Sequence, residues 1–151
     1  MNQIVVRQAV LSDLEALAPL FDGYRQFYGK ASDLAAARDF LRERFNHGES
    51  ALFLALDGVA PIGFTQLYPS FSSASLARTF ILNDLFVVQS HRRAGAGSKL
   101  LHAATEFARS LGAVRVTLST DIQNTSAQAT YEAQGWKRDK EYYVYHFLPQ
   151  G

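Results

Sequence analysis

The sequence contains no cysteine, few prolines and no long hydrophobic run, and its charges nearly cancel. Without cysteine there is no disulfide framework, no thiolate metal site and no cysteine nucleophile. No apolar run approaches the ~20 residues that a membrane-spanning helix requires, and the first residues lack the apolar stretch of a signal peptide. A formal charge of +1 favours neither a nucleic-acid-binding face nor an anionic membrane surface. We therefore expect a cytoplasmic protein that binds neither nucleic acid nor a membrane.

What the chain does contain is enough apolar material for a core. Of its 151 residues, 48% are hydrophobic and 13% are aromatic, which argues against disorder. This length fits one domain that covers residues 1–151. The four histidines are scattered without the spacing of ligands, so no metal site is predicted.

The hydrophobic periodicity alternates between that of strands and that of helices. Strands are predicted at residues 4–6, 51–56, 62–68, 79–88, 114–119 and 142–147, and helices at 13–28, from Ser32 to about 47, after Gly97, and from Asn124 to Gln134. Ser12 and Glu15 match a capping box at the first helix, and residues 69–75 are predicted to form a loop. This order of elements predicts an α/β fold with a mixed sheet.

A glycine-containing turn stands between the apolar strand that ends at Val88 and the helix that follows. Gly95 and Gly97 allow a tight turn and a close approach of backbone amides to a ligand. The first amides of a helix lack internal acceptors and lie at the positive end of its dipole, which suits phosphate. His91, Arg92, Arg93 and Lys99 add positive charge nearby. A bare Gly-x-Gly could equally serve only to connect strand and helix, and the spacing matches neither Gly-x-Gly-x-x-Gly nor a P-loop.

Two stretches carry a resemblance to a known family. Arg92-x-x-Gly95-x-Gly97, after the strand 83–88, resembles the acetyl-CoA motif of the GNAT N-acetyltransferases. Asn124, Tyr131, Gly135 and Trp136 resemble their second signature, and a predicted strand separates the two stretches. Residues 81–87 further resemble the branch that includes small histone- and polyamine-acetylating enzymes. The resemblance implies a single GNAT-type domain with a mixed, mostly antiparallel sheet flanked by about four helices, acetyl-CoA as co-substrate, and no metal.

The resemblance also assigns roles by position. The backbone of Phe86, Val87 and Val88 would pair with the pantetheine arm of CoA, Asn124 would bond to it, and Tyr131 would lie beside the thioester sulfur. The residues expected to hold the diphosphate are Arg92, Arg93, Ala94, Gly95, Ala96, Gly97 and Ser98. Independently of the family, Asn124 and Tyr131 are two helical turns apart and share a face. Tyr131 could instead be a core aromatic, and Asn124 is also a good helix cap.

The reaction requires a neutral amine, although a free alkylamine has a pKa near ~10.4. Asp84 is a candidate general base, an amine-binding carboxylate or a structural group, and a water-mediated base stays open. In protein-lysine members of the family a glutamate lies earlier on this strand, where this chain has Ile81. Strand alternation places Asn83 and Asp84 on opposite faces unless a bulge intervenes, and the fold that the chain resembles has such a bulge. Tyr131 is the candidate acid for the leaving thiolate.

The acceptor is expected in a cleft beside the first helix. Tyr24, Tyr28, Asn83 and Asp84 are its predicted substrate-binding residues, with Tyr68, Phe27 and Phe71 as further aromatics that could hold an ammonium by cation–π attraction. For Phe27 and Phe71, packing is the favoured interpretation. The expected reaction is acetyl transfer to a primary amine, either a polyamine-like or amino-acid-like small molecule or lysine.

Other functions and the oligomeric state stay open at this point. The alternatives are a non-catalytic acyl-CoA-binding module and a Rossmann-type nucleotide binder. The aromatic segment 142–147 is expected at a sheet edge, and since the enzymes that the chain resembles are commonly dimers, we expect a homodimer.

Overall fold

The computed structural model of the protein describes residues 3–150. The strands are β1 (Ile4–Gln8), β2 (Ala51–Asp57), β3 (Ala60–Ser72), β4 (Ala77–Val87) and β5 (Arg115–Thr117), and the helices are α1 (Leu14–Phe27), α2 (Leu34–His47), α3 (Ala96–Ser110) and α4 (Thr125–Ala133). Two compact units divide the chain, one up to Ser119 and one from Thr120. Within residues 3–150, no helix is both long and apolar enough to cross a bilayer.

The first unit is built on a five-stranded sheet in the order β1-β2-β3-β4-β5. The neighbours from β1 to β4 are antiparallel, and β5 runs parallel to β4. The predicted α/β fold, with a mixed, mostly antiparallel sheet and four helices, is confirmed. A Rossmann-type fold is excluded, because that fold requires a mostly parallel sheet.

Alternation along β2 and β3 directs side chains to helices on both faces of this sheet. Leu54 and Phe64 belong to the buried cluster that α1 and α2 complete. Phe53 instead packs edge-on against Phe107 of α3, with ring centroids 5.4 Å apart. Gly63 faces α3 as well, since a Cβ there would lie 3.4 Å from Cδ1 of Leu100. The core is therefore two layers of helix around one sheet, with α1 and α2 on one face and α3 on the other.

The beginnings of the first two helices differ from the prediction. Instead of a Ser12–Glu15 capping box, the Asp13 carboxylate accepts a hydrogen bond from the amide of Val10 and two from Arg7. Asp33, not Ser32, caps α2 by accepting from the amide of Ala36. The Ser32 hydroxyl donates to Asp22 on α1 instead, at 2.7 Å. In both places a contact from another element decides which polar side chain is used.

Two segments predicted from local sequence were wrong. The loop expected at residues 69–75 is mostly strand, because β3 continues to Ser72 and pairs with β4 down to Ala77. The strand expected at 142–147 is absent, and its aromatic side chains are exposed. Strand propensity reflects packing against neighbours more than an intrinsic backbone preference, so an unpaired aromatic segment does not form a strand on propensity alone.

Candidate active site

A β-bulge in β4 brings Asn83 and Asp84 to the same cleft. Gln66 of β3 pairs with Asp84 and Leu67 pairs with Leu82, so that Asn83 is an extra residue on β4. Before the bulge Phe80 stacks on Phe107 of α3, whereas after it Phe86 contacts Phe64 on the α1 side. The bulge that the sequence left conditional is confirmed, and it reverses which face of the sheet the second half of β4 supplies.

Asp84 is a buried carboxylate with only 1% of its surface exposed. Its Oδ2 accepts from Nε2 of Gln66 at 2.6 Å, and its Oδ1 accepts from Nδ2 of Asn83 at 2.7 Å. Burial raises the pKa of Asp84 above its usual range, while hydrogen bonds from Asn83, Gln66 and Tyr24 oppose that rise. A carboxylate in this setting accepts a proton more readily than an ordinary aspartate.

The cleft in front of Asp84 has a volume of about 480 Å³. Its lining combines side chains of α1, α2 and the loop between them with residues of β3 and β4: Phe21, Tyr24, Arg25, Tyr28, Lys30, Ala36, Ala37, Phe40, Tyr68, Asn83 and Asp84. The structure thus brings together Tyr24, Tyr28, Asn83 and Asp84, the predicted substrate-binding residues. Phe27 and Phe71 do not line it, and each lies instead beneath an arginine side chain.

Two tyrosines surround the carboxylate within this cleft. The Tyr24 hydroxyl donates to the carbonyl oxygen of Asn83 at 3.2 Å. Burial, followed by the charge of Asp84, raises the pKa of Tyr24. The same two causes raise the pKa of Tyr68, against a smaller effect of Arg44. Both hydroxyls are therefore neutral donors at physiological pH, and Asp84 supplies a carboxyl group to the cleft.

The second half of β4 has one edge without a partner strand. Within the described residues, β5 pairs only with Thr79, Phe80 and Ile81. The Val88 amide donates to Ile62 on β3, and its carbonyl accepts from His91. Since alternate residues of an antiparallel strand address the same neighbour, Phe86 also faces β3 and Val87 faces the open edge. Three residues were predicted to meet pantetheine. Val87 directs its amide and carbonyl to the open edge, whereas Phe86 and the amide of Val88 face β3.

The turn after β4 leads straight into α3. Arg93 and Gly95 both adopt positive φ, at 65° and 89°. Around Gly95 and Gly97 nothing lies within 4 Å of where a Cβ would stand, so the surface of the turn is open. The first hydrogen bond of α3 runs from Lys99 to Gly95. Ala96 and Gly97 stand in the first turn of α3, where backbone amides have no acceptor within the helix, and the N-cap residue Gly95 has no side chain to cap them. An anion fits this arrangement.

The basic side chains predicted to surround the diphosphate mostly turn elsewhere. Nε2 of His91 lies 2.9 Å from Asp57, and Nζ of Lys99 donates to the Ile4 carbonyl. Nε of Arg92 donates to the Val87 carbonyl at 2.9 Å, so its guanidinium lies along β4 rather than over the turn. Arg93 is exposed on the turn. The turn therefore offers an anion backbone amides more than the charge cluster that the sequence indicated.

The stretch of sequence that includes this turn and the bulged strand matches the model of a known family. The model of the Acetyltransferase (GNAT) family matches residues 16–136. The chain belongs to the GNAT family. The chain is similar to YhfO of Bacillus subtilis, an uncharacterised N-acetyltransferase, with 48% identity over 140 residues that cover 93% of this chain and 94% of that protein.

More distant relatives agree with this assignment. A probable acetyltransferase of Haemophilus influenzae is 34% identical over 129 residues, which cover 83% of this chain and 84% of that protein. The crystal structure of a probable acetyltransferase, 43% identical, superposes with a TM-score of 0.91 over 95% of this chain and 97% of that one. The protein is thus an N-acetyltransferase of a family that uses acetyl-CoA as co-substrate.

The second GNAT signature lies in the unit that begins at Thr120. Asn124 caps α4, as predicted, because its Oδ1 accepts from the amide of Ala127 at 3.2 Å. Tyr131 is half-buried on the same helix, with its ring centroid 6.1 Å from that of Trp136. Both the cap and the aromatic packing are explained within this unit, so the roles of Asn124 and Tyr131 toward the co-substrate remain predictions.

The sequence did not indicate several residues of the cleft in front of Asp84. Gln66, fully buried beside Asp84, looked like an ordinary strand residue, and only the bulged pairing of β3 with β4 reveals its role. Arg25 and Lys30 resembled the usual cations near the C-terminal end of a helix. A helical projection of α1 would have placed Arg25 beside Phe21 and Tyr28, and this was the available signal.

Proposed function

We propose that the protein transfers the acetyl group of acetyl-CoA to a small primary amine bound in the cleft of α1, α2 and β4. The observation that carries the proposal is the buried carboxylate of Asp84 on the bulge, surrounded by aromatic rings and followed directly by the open edge of β4. The carboxylate and the rings suit an ammonium group. A concave cleft of this volume is typical of a site for a small molecule rather than for a lysine on a protein surface.

Asp84 serves as the base in this proposal. An amine arrives mostly protonated. Because the pKa of Asp84 is raised, Asp84 is a better acceptor for that proton than an exposed aspartate. As the nitrogen–carbon bond forms and the carbon–sulfur bond breaks, the ammonium loses two protons in total. One leaves to solvent through Asp84, and the other ends on the sulfur.

In this proposal Tyr131 donates its phenolic proton to the sulfur, and the second proton lost by the amine returns Tyr131 to its neutral form, directly or through water. The support is its place in the second GNAT signature and the face that it shares with Asn124 on α4. A phenol of pKa about 10 can protonate or hydrogen-bond a developing thiolate of parent pKa ~8.5.

Binding of acetyl-CoA is assigned to three parts of the chain. The Val87 backbone at the open edge of β4 would pair with the pantetheine arm, with Phe86 and Val88 holding that strand in register. The amides of residues 93–98 would hold the diphosphate, and Asn124 would bond to the pantetheine. Acetyl-CoA supplies the thioester carbonyl that the amine attacks. Since the family match runs through residues 16–136, we propose that both compact units form one acetyltransferase domain.

The test is release of free thiol from acetyl-CoA with a panel of small primary amines. We expect turnover with at least one of them, and a loss of about 100-fold or more in kcat for Asp84→Asn. Arg42→Gln, on an exposed part of α2 that does not line the cleft, is the matched control and should retain the wild-type rate. Absence of turnover with every amine, or an unchanged rate in Asp84→Asn, would contradict the proposal.

A further inference from the structure

The acceptor cleft contains two cations that the acetyl-transfer reaction does not use. Arg25 of α1 and Lys30 of the α1–α2 loop line the same cleft as Asp84. Among residues 3–150, neither side chain makes a hydrogen bond or an ion pair. Cations near the end of a helix can simply complement its dipole. That explanation does not account for a half-buried guanidinium that faces a substrate cleft without a hydrogen bond or a salt bridge.

The backbone holds these two residues in place. The amide of Lys30 donates to the Arg25 carbonyl at 3.0 Å, and the amide of Gly29 donates to Gln26. The buried carboxylate of Asp22 then ties α1 to the start of α2, since it accepts from Ser32 and from the amide of Asp33. The loop that carries Lys30 is therefore fixed against the cleft before any ligand binds, which lowers the entropic cost of using it.

Charges in and around the cleft distinguish between classes of acceptor. Its lining has one carboxylate, Asp84, and two cations, Arg25 and Lys30. Arg25 also lowers the pKa of Asp22, but only behind the hydrogen bonds of Ser32 and Asp33. Once an ammonium neutralises Asp84, the two cations have no counterion in the cleft. A polyamine would place further positive charge against them, whereas a carboxylate would neutralise them.

We infer that the acceptor is an amino acid, bound with its ammonium at Asp84, its carboxylate at Arg25 and Lys30, and its apolar part among the aromatic rings between them. This inference rests on the proposed function and selects one of its acceptor classes. Arg25 is well suited to a carboxylate because its planar guanidinium can donate two parallel hydrogen bonds. Phe21, Tyr24 and Phe40 give the middle of the cleft its apolar character.

The experiment compares primary amines that are matched except at one position, which is either a carboxylate or a group without negative charge. One series is 5-aminopentanoate, pentylamine and cadaverine, and the other is phenylalanine, phenylalaninamide and phenethylamine. In at least one series we expect the carboxylate to have the highest kcat/KM, by about tenfold or more, and cadaverine to be the poorest of its series. Added salt should reduce this preference, since it screens the charge pair.

Variants of Arg25 and Lys30 then test whether these residues cause the preference for a carboxylate. In Arg25→Gln combined with Lys30→Gln, KM for the carboxylate should rise about tenfold or more while kcat/KM for the uncharged amine stays within about twofold. Arg42→Gln should leave both unchanged. If neither series shows a preference of the wild type for the carboxylate over the uncharged amine, the inference is overturned and acetyl transfer to amines is left intact. If no amine is acetylated, the proposed function itself fails.

Discussion

Asp84 is buried beside Gln66. We expect the protonation state of the Asp84 carboxyl group to affect stability as well as turnover. Oε1 of Gln66 is buried and has no hydrogen-bond partner among residues 3–150. In Asp84→Asn, rotation of the Gln66 amide would let that oxygen accept from the new Asn amide, while Asn83 continues to donate to the other side. The substitution therefore removes a buried charge and keeps both hydrogen bonds of residue 84, while Nε2 of Gln66 takes the buried place that Oε1 now occupies without a partner.

The raised pKa of Asp84 gives this substitution a pH signature. The native state holds the proton more tightly than the unfolded state does, so the carboxyl contributes most stability at low pH. That contribution falls as pH rises from the unfolded pKa near ~4 through the folded pKa. We expect Asp84→Asn to melt above the wild type at pH 7, by roughly 2–4 °C for each kcal/mol of free energy gained.

The measurement is Tm for both proteins from pH 4 to pH 8. The difference should be small at the acid end and should grow with pH. A variant that is less stable at pH 7, or a difference that does not change with pH, would show that Asp84 carries no desolvation cost.

Tyr131 is tested by deleting one hydroxyl. Tyr131→Phe retains the ring and its packing near Trp136, so affinity for acetyl-CoA and the melting temperature should change little. Turnover of an accepted amine should fall by about 10- to 1000-fold if the hydroxyl serves the leaving thiolate. Equal kcat in steady-state kinetics of both proteins would assign Tyr131 to packing alone.

The turn proposed to bind the diphosphate is tested at Gly97. Gly97→Glu places a negative side chain at the start of α3, where the surrounding space is open. A helix-forming residue and an acidic group at a helix N-terminus both favour folding, so Tm should hold or rise. Affinity for CoA should nevertheless fall sharply because of repulsion of the diphosphate.

Calorimetry with CoA measures this effect, and Gly97→Gln, of nearly equal size, separates charge from bulk. The expected order of affinity is wild type, then Gln, then Glu. An affinity of Gly97→Glu equal to that of the wild type would remove the diphosphate from this turn.

The same scale shows what the sequence could predict. The order of elements follows from hydrophobic periodicity, and Asn124 caps α4 as a helix N-terminal residue of its type should. The position of the bulge could not be read from β4 alone, since it is defined by pairing with Gln66 and Leu67 of β3. Likewise Asp13 displaced Ser12 as the capping group through Arg7 on β1. Where a second element decides, local patterns are insufficient.

For the whole molecule we propose a homodimer. Consecutive residues of the segment 142–147 expose large side chains, including Tyr143 at 91% and Tyr145 at 89%. Exposed apolar groups in such a run are typical of an interaction surface. Light scattering at micromolar concentration should give about twice the chain mass of 16.8 kDa, and Tyr143→Ser with Tyr145→Ser should shift it toward one chain. A single-chain mass for the wild type would refute the dimer.

Strand β4 also limits where this protein can be recombined with its relatives, because the number of residues at the bulge must be kept. Its segments before and after Asn83 are out of phase by one residue, so that Phe80 faces α3 while Asp84 and Phe86 face α1. Inserting or deleting one residue between Leu82 and Asp84 would invert one segment and bury the wrong side chains. A crossover within β4 must therefore preserve length there, much as a splice must preserve a reading frame.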